Sequence, residues 1–433
     1  MVKLLLINES FTNPIFYRRW ELLAQDHKDW DITLLAPKKE EIKAKTGSFG
    51  RNITIQGKMV EEDNFHIRLF QKKQLPFLGW ISTDFKRVML ELSPEVIYNI
   101  GSHNQTSLFQ LIWLRNKYLP NSKLLSFSMR GPNYNISHFK ERCKPFSKYV
   151  KRRLYYIYAK LGLSYFNKNV DAVFCHYPEA LNCFRDEGFN GPIYMQTQVG
   201  VNPELFHEDS ESRKEIRKRY NISDDTYVFG SATRFTPDKG LYEIINALPK
   251  DGNWIYMMMG SGVKEEEYRI RELIKKRGLE EKVILPGFIQ LKEMPKYWNA
   301  IDCLLHVPNS MFSWVETFSI ALVQGMITGK PVIGSNSGSV PYQIGPEGII
   351  VPESNVDILK DKIQWVLSHK NEAKAIGFRM QERAQKCFSI MHLNDIFYDT
   401  IMEDVLYGKY DESKIDMTLY KVNSGRDEEK GNQ

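Results

Sequence analysis

Short apolar runs recur along this chain, separated by longer stretches in which apolar residues return every three or four positions. In the first half the runs are Lys3–Asn8, Asp31–Pro37, Val96–Gly101, Lys123–Ser128, Ala172–Tyr177 and Ile193–Val199. In the second half they are Tyr227–Thr233, Trp254–Gly260, Val283–Phe288, Cys303–Pro308, Pro331–Asn336 and Gly348–Pro352. Unbroken hydrophobicity over about five to seven residues marks a strand buried on both faces, because alternation appears only where one face meets water. Helical spacing is clearest at Phe16–Gln25, Leu241–Leu248, Tyr268–Arg277 and Thr317–Thr328. Strand–helix alternation implies parallel sheets covered on both sides. Six strands in each half predict an α/β protein of two doubly wound, Rossmann-like domains facing a cleft.

Polarity sets the expected boundaries. Val201-Asn202-Pro203 leads into the polar stretch Glu208–Lys218, which places the division within Gly200–Tyr220 and gives domains of 1–200 and 201–388. Ser389–Leu406 reads as one more helix, with Ile390, Leu393, Ile396, Phe397, Ile401 and Val405 on roughly one side. Beyond Gly408 the chain turns polar and acidic, so 409–433 is expected to be a disordered tail.

Composition removes several classes. The 433 residues are 42% hydrophobic and 26% charged, close to the globular average, which excludes collagen-like, disulfide-stapled and wholly disordered chains. No apolar run approaches the ~18–20 residues of a membrane span, and Leu4–Ile7 is too short for a signal-peptide core. The five cysteines are scattered and form no C-x-x-C pair, which fits reduced thiols in the cytoplasm and offers no zinc site. Charge is uneven. Residues 1–200 hold 29 Lys and Arg against 18 Asp and Glu, whereas 201–433 hold 30 against 35. Within 101–170 there are 13 basic residues and one acid, Glu141. Such a field attracts polyanions, or it is simply a solvated face.

Two segments could carry chemistry. Arg234-Phe-Thr-Pro-Asp-Lys239-Gly240 follows an apolar strand and opens a helix, with Thr236 as N-cap and Pro237 in the first position. Arg234 at the strand end and Lys239 one turn into the helix suit a diphosphate, or else pair with surface acids. In the second segment, Glu316 and Gln324 are two helical turns apart, and the N–H groups of Thr317, Phe318 and Ser319 open a helix where an anion can be held. Neither segment supplies a metal cluster: there is no D-x-D beside an apolar strand, and Asp224-Asp225 lies in a polar turn.

Taken in order, Arg234…Lys239-Gly240, Met259-Gly-Ser-Gly262, Val283-Ile-Leu-Pro-Gly-Phe288, Asp302-Cys-Leu-Leu-His-Val-Pro308, Glu316-x7-Gln324 and Gly329-Lys-Pro-Val-Ile-Gly-Ser335 resemble the retaining GT-B glycosyltransferases of the glycosyltransferase 4 family, the glycosyl transferases group 1. Gln198-Val-Gly-Val-Asn-Pro-Glu-Leu-Phe206 is similar to that family's inter-domain segment, so the match covers about residues 195–405, and residues 1–195 share the architecture only. The resemblance implies that Arg234 and Lys239 hold the donor's diphosphate and that Glu316 lies beside the donor sugar. Gln324 stands where the family's second glutamate grips the ribose, and its carbonyl can still accept a hydroxyl proton. Gly260 and the loop Gly287-Phe288-Ile289 would line the nucleotide side, the loop meeting the base through backbone groups. Ser319 replaces a common glycine and Tyr342 a common glutamate.

In the first half, Asn13 occupies the turn where the family often has glycines and could offer its amide to a phosphate. Arg130, in Met129-Arg130-Gly131, is a candidate for acceptor or phosphate contact against a surface salt bridge. His103, His138 and His176 flank strand ends. The resemblance also implies that the helix at 389–407 packs back on the first domain. Residues 140–168 mix lysines and arginines with tyrosines, which suits an anionic membrane surface at its inner face, an ordinary amphipathic helix or, least well, single-stranded nucleic acid. The expected activity is transfer of a sugar from a nucleotide-sugar donor to a hydroxyl of a glycan, lipid-linked or small acceptor, retaining configuration, with no cofactor or metal. A non-catalytic nucleotide-sugar binder and a GT-B epimerase or phosphorylase are the alternatives.

Overall fold

The structure is a computed structural model that describes residues 1–42, 53–75, 79–101, 105–128, 146–311 and 314–410. Arg130, His103, His138 and the tail beyond 410 therefore lie outside the described residues. So does most of the first third of the basic stretch. The described chain divides into two units: residues 1–41, 54–199 and from 393 onward in one, and 200–392 in the other.

The first unit is built on an eight-stranded sheet. Its strands are β1 (Val2–Ile7), β2 (Trp30–Pro37), β3 (Val60–Glu62), β4 (Phe65–Phe70), β5 (Val96–Ile100), β6 (Lys123–Phe127), β7 (Ala172–Cys175) and β8 (Ile193–Met195). They lie in the order β8-β7-β6-β5-β1-β2-β4-β3, parallel throughout except for the antiparallel pair β3–β4. The order reverses direction between β1 and β5. Leu4, Leu5, Leu6 and Ile7 of β1 are all essentially inaccessible, as a strand covered on both faces requires. One core packs Leu4, Leu6, Trp20, Trp30, Tyr98 and Phe174 against Phe397, Ile401 and Val405 from the C-terminal stretch. That stretch is the helix Ile390–Asp399, continued by a wider π-type stretch at Thr400–Leu406.

A buried arginine fixes this return. The Arg19 guanidinium donates to the carbonyl oxygens of Thr197 and Leu393 (both 2.6 Å) and to Asn394 Oδ1 (3.0 Å), and lies 4.8 Å from the Trp20 ring centre. Desolvation pushes it down to about 10, so the cation persists at neutral pH, held by neutral oxygens.

The second unit contains β9 (Tyr227–Ala232), β10 (Trp254–Met259), β11 (Val283–Gly287), β12 (Cys303–His306), β13 (Val332–Ser335) and β14 (Ile349–Val351). Their order, β11-β10-β9-β12-β13-β14, is wholly parallel. Alternate residues feed two cores: Met257, Met259 and Leu304 on one face, Tyr256, Met258 and Leu305 on the other. Strand order reverses between β9 and β12, the place where open α/β sheets commonly receive ligands outside their carboxyl ends. Among the described residues no helix is long and apolar enough to cross a membrane.

Candidate functional site

Three chain segments converge at that reversal point. After β9 the backbone passes through Thr233 and Arg234, with Thr233 N–H bonded to Met259 O and Phe235 N–H to Ser261 O. Pro237–Lys239 then makes a single 3-10 turn, Gly240 adopts φ +69°, and the α-helix begins only at Leu241. The expectation that Thr236 caps a helix with Lys239 one turn inside is thus corrected. Thr236 makes no side-chain cap bond, and Lys239 sits on the turn before the helix. The glycine is essential to this shape. A Cβ at Gly240 would stand 1.9 Å from Val307 O, so the turn packs directly on the end of β12. Asp238 O accepts from Asn309 N–H at 2.8 Å and locks it further.

That packing delivers Lys239 to Glu316. Lys239 Nζ donates to Glu316 Oε2 at 2.7 Å, lies 3.7 Å from Asp238 Oδ2 and sits 3.9 Å above the Trp314 ring. Both ionic side chains are about nine-tenths buried. Ser339 N–H donates to Glu316 O (2.8 Å), and a Cβ at Gly338, whose φ is +47°, would clash with that oxygen at 2.1 Å. The carboxylate is therefore fixed from both its backbone and its head.

His306 closes the group. It is the last residue of β12, two positions after Leu304, so it shares the face covered by the helix Ile320–Ile327. Its Nε2 is buried, makes no hydrogen bond and lies 4.0 Å from Glu316 Oε2. Burial, and secondarily the Lys239 ammonium, push the imidazole down to about 3, so the ring is neutral at physiological pH.

Two expectations about the helix beside Glu316 are revised. It runs from Ile320 to Ile327, not from Thr317, with Ser319 as its N-cap through Oγ to Leu322 N–H (3.2 Å). Ser319 N–H is already donated to Gln343 Oε1 at 2.8 Å, whose own Nε2 returns a bond to Ser319 O, so this amide is not open to an anion. Thr317 and Phe318 precede the cap and are half-buried. Gln324 is buried, and its Oε1 accepts from Trp298 Nε1 at 3.1 Å. Because the indole N–H only donates, this contact fixes which end of the amide faces it. The Gln324 carbonyl, the group expected to accept from a hydroxyl, is thus engaged by Trp298, and its NH2 group points the other way.

The glycine positions fall along the carboxyl edge of the sheet. Gly260 N–H bonds Gly287 O (2.9 Å), and a Cβ at Gly260 would strike Thr233 O at 1.8 Å, so the loops after β9, β10 and β11 are stitched together. Gly287 has φ +82° with open space beside it, Phe288 is exposed, and the Ile289 side chain packs inward on the core. Asn13 belongs to the first unit. There its Oδ1 accepts from Ile15 N–H as the N-cap of the helix Pro14–Asp26, a structural use of the group proposed for phosphate. His176 is buried edge-on to Phe127. Among the described residues no three His, Cys, Asp or Glu side chains gather as metal ligands.

Sequence reasoning did not single out His306, Trp314, Trp298 or Gln343. The histidine carried a signal, a polar residue inside an otherwise apolar strand. The others act through contacts between distant segments.

Comparison with known proteins bears on the same segment. Residues 212–383 match the family described as glycosyl transferases group 1. A GDP-mannose-dependent alpha-(1-6)-phosphatidylinositol monomannoside mannosyltransferase of Mycobacterium tuberculosis is 27% identical over 187 residues, 41% of this chain and 48% of that protein. A trehalose synthase of Pyrococcus horikoshii is 23% identical over 248 residues, 49% of this chain and 56% of the relative. The chain spans about half the length of these curated relatives. Among solved structures, sucrose-phosphate synthase from Thermosynechococcus elongatus superposes with a TM-score of 0.66 at 16% identity, covering 92% of this chain and 98% of that one. Anabaena Alr3699/HepE in complex with UDP and glucose gives 0.64 at 15%, covering 93% and 99%. At such identities the likeness carries the fold, which is GT-B with two Rossmann-like units. The segment that matches the glycosyl transferases group 1 family, residues 212–383, contains Arg234, Lys239, Glu316 and Gln324.

Proposed function

We propose that this chain transfers a sugar from a nucleotide-sugar donor to a hydroxyl of a glycan, lipid-linked or small acceptor, with retention at the anomeric carbon and without a divalent metal. The observation that carries the proposal is the meeting of Lys239 and Glu316, 77 residues apart in sequence, at the sheet's reversal point beside the strand end that bears Arg234. In the reaction the bond from the anomeric carbon to the diphosphate oxygen breaks and a bond to the acceptor oxygen forms on the same face. The acceptor proton passes to the departing phosphate. Arg234 and Lys239 neutralise the charge that develops there, and preorganised cations of this kind lower a barrier by several kcal/mol. Glu316, held by Lys239, accepts from hydroxyls of the donor ring.

A panel of UDP-, GDP- and ADP-sugars scored for slow hydrolysis tests this, with Arg234→Ala as control. One donor is expected to be cleaved and the control to lose most of that activity; equal turnover by the control overturns the phosphate assignment. The Lys239–Glu316 ion pair and the Gln324 donor end favour one rival, a non-catalytic nucleotide-sugar binder. That rival predicts affinity for a donor with no turnover. Release of free sugar phosphate, or epimerised donor without acceptor, would instead indicate a phosphorylase or epimerase.

The reading extends to an anionic membrane surface at its inner face as partner of the first unit. Ile157, Leu161 and Tyr165 form an exposed stripe at helical spacing on Phe146–Asn169, flanked by exposed Lys160 and Lys168. Apolar and aromatic groups beside lysines suit the boundary of an anionic leaflet. Co-sedimentation with phosphatidylglycerol-containing vesicles, lost on Leu161→Glu, is the expected result.

A further inference from the structure

We infer that His306 reads the donor: its Nε2 and Glu316 Oε2 together clasp one hydroxyl of the transferred sugar. The inference rests on the proposed function and adds a second, neutral reader to Glu316.

Its starting point is an incomplete contact. A polar nitrogen buried without a partner loses its hydration and gains nothing in return, so such atoms are rare in packed interiors. Nε2 of His306 is buried in that way, yet it faces the Glu316 carboxylate across 4.0 Å. That separation is too long for a direct hydrogen bond. It fits a bridging atom well: an oxygen placed about 2.8 Å from both groups would see them at an angle of about 90°, which a hydroxyl tolerates. A hydroxyl also has the right polarity. Facing a carboxylate, the neutral imidazole carries its proton on Nε2 and donates to the sugar oxygen, which donates its own hydrogen to Glu316.

The surroundings keep both readers in place. Lys239 holds the second partner of the clasp at 2.7 Å, and its positive charge helps keep the ring neutral. Val307 O, the next carbonyl along the chain, is in contact with Gly240, so the strand end that bears His306 cannot drift from the Lys239 turn. The nucleotide's phosphates are assigned to Arg234 and Lys239. His306 is therefore expected to act on the sugar and not on the nucleoside diphosphate.

That separation supplies the test. Affinities of the wild type for UDP, GDP and ADP are measured by titration calorimetry beside those for the matching nucleotide-sugars. The same pairs are then measured for His306→Asn and His306→Phe, with circular dichroism melts to confirm folding. For His306→Phe, the expected result is unchanged nucleoside diphosphate affinity, within twofold, with a three- to tenfold loss confined to the nucleotide-sugar. His306→Asn, whose side chain is shorter but still able to donate, should recover part of that loss. A parallel fall in both affinities would show that the histidine merely props the site, and no change in either would show that it touches nothing; each overturns the inference. A Phe variant that fails to fold leaves the Asn variant to decide, on the same ratio. Wild-type protein that binds no nucleotide at all would overturn the proposed transferase first, and this inference with it.

Discussion

The two ends of strand β12 hold two charge clusters, one part-buried and one buried, and they are built differently. At its start, Asp302 receives Arg213 Nη2 on one oxygen and Arg217 Nη2 and Val228 N–H on the other, all at 2.7 Å. Arg217 spends its remaining donors on the carbonyls of Ala300, Ser223 and Thr226. At its other end Glu316 has one ammonium, while the neighbouring histidine nitrogen is left without a bond. Both clusters join segments far apart in the chain, and both take charge out of water. The first is closed, and a closed network rigidifies a fold. The second is open, and incomplete satisfaction at the mouth of a sheet is where a ligand completes the count. Charge density alone would not have told them apart.

The sharpest way to break this contrast is Asp302→Ala, which strands the buried Arg217 guanidinium and unpairs the part-exposed Arg213. It should cost about 3–5 kcal/mol in denaturant unfolding, and a loss under about 1 kcal/mol would mean the closed cluster is not a structural hub. Arg234→Ala should do the reverse. Turnover of the donor should fall about 10²- to 10³-fold, with a shift in unfolding midpoint much smaller than that of Asp302→Ala. A variant that melts early and turns over normally would reverse the assignment.

Acid titration gives a third measure. His306 and His176 are each held near 3 by burial, against an ordinary value of 6.5 in the unfolded chain. Between those values the unfolded chain binds more protons than the folded one. Stability is therefore full above about 6.5 and falls as the pH drops, by up to about 1.4 kcal/mol per unit for each group. His306→Asn should flatten part of that slope in a pH series of chemical melts, and an unchanged slope would mean the ring is not held neutral. The smallest effect concerns Asn13. Loss of its cap in Asn13→Ala should cost about 1 kcal/mol without altering turnover. A tenfold fall in turnover would restore it as a phosphate contact.

Much of the second unit was legible in its residues, because strands covered on both faces leave runs such as Trp254–Met259 that water-facing strands do not. The same criterion passed over Phe65–Phe70, where buried Phe65 and Ile67 alternate with half-exposed His66 and Arg68 near the sheet's edge. Arg234, Lys239 and Glu316 were singled out by motif order, and the contact between Lys239 and Glu316 is what the structure adds. The direction of the Gln324 amide was not legible, because it depends on Trp298, 26 residues away. The start of the helix at Ile320 was missed for a related reason: Thr317 and Phe318 fit a helical pattern locally, but Gln343 holds Ser319 in extended geometry at its cap.

The Arg19 contacts have a consequence for how the protein is made. Two of its three acceptors belong to Leu393 and Asn394, and the aromatic core beside it is completed by Phe397 and Ile401. Residues 1–200, released on their own, would carry a stranded guanidinium and an uncovered aromatic wall. During translation the first unit therefore stays unfinished until the whole of the second has been synthesised. A chain cut short before residue 393 would lose the earlier unit rather than the later one.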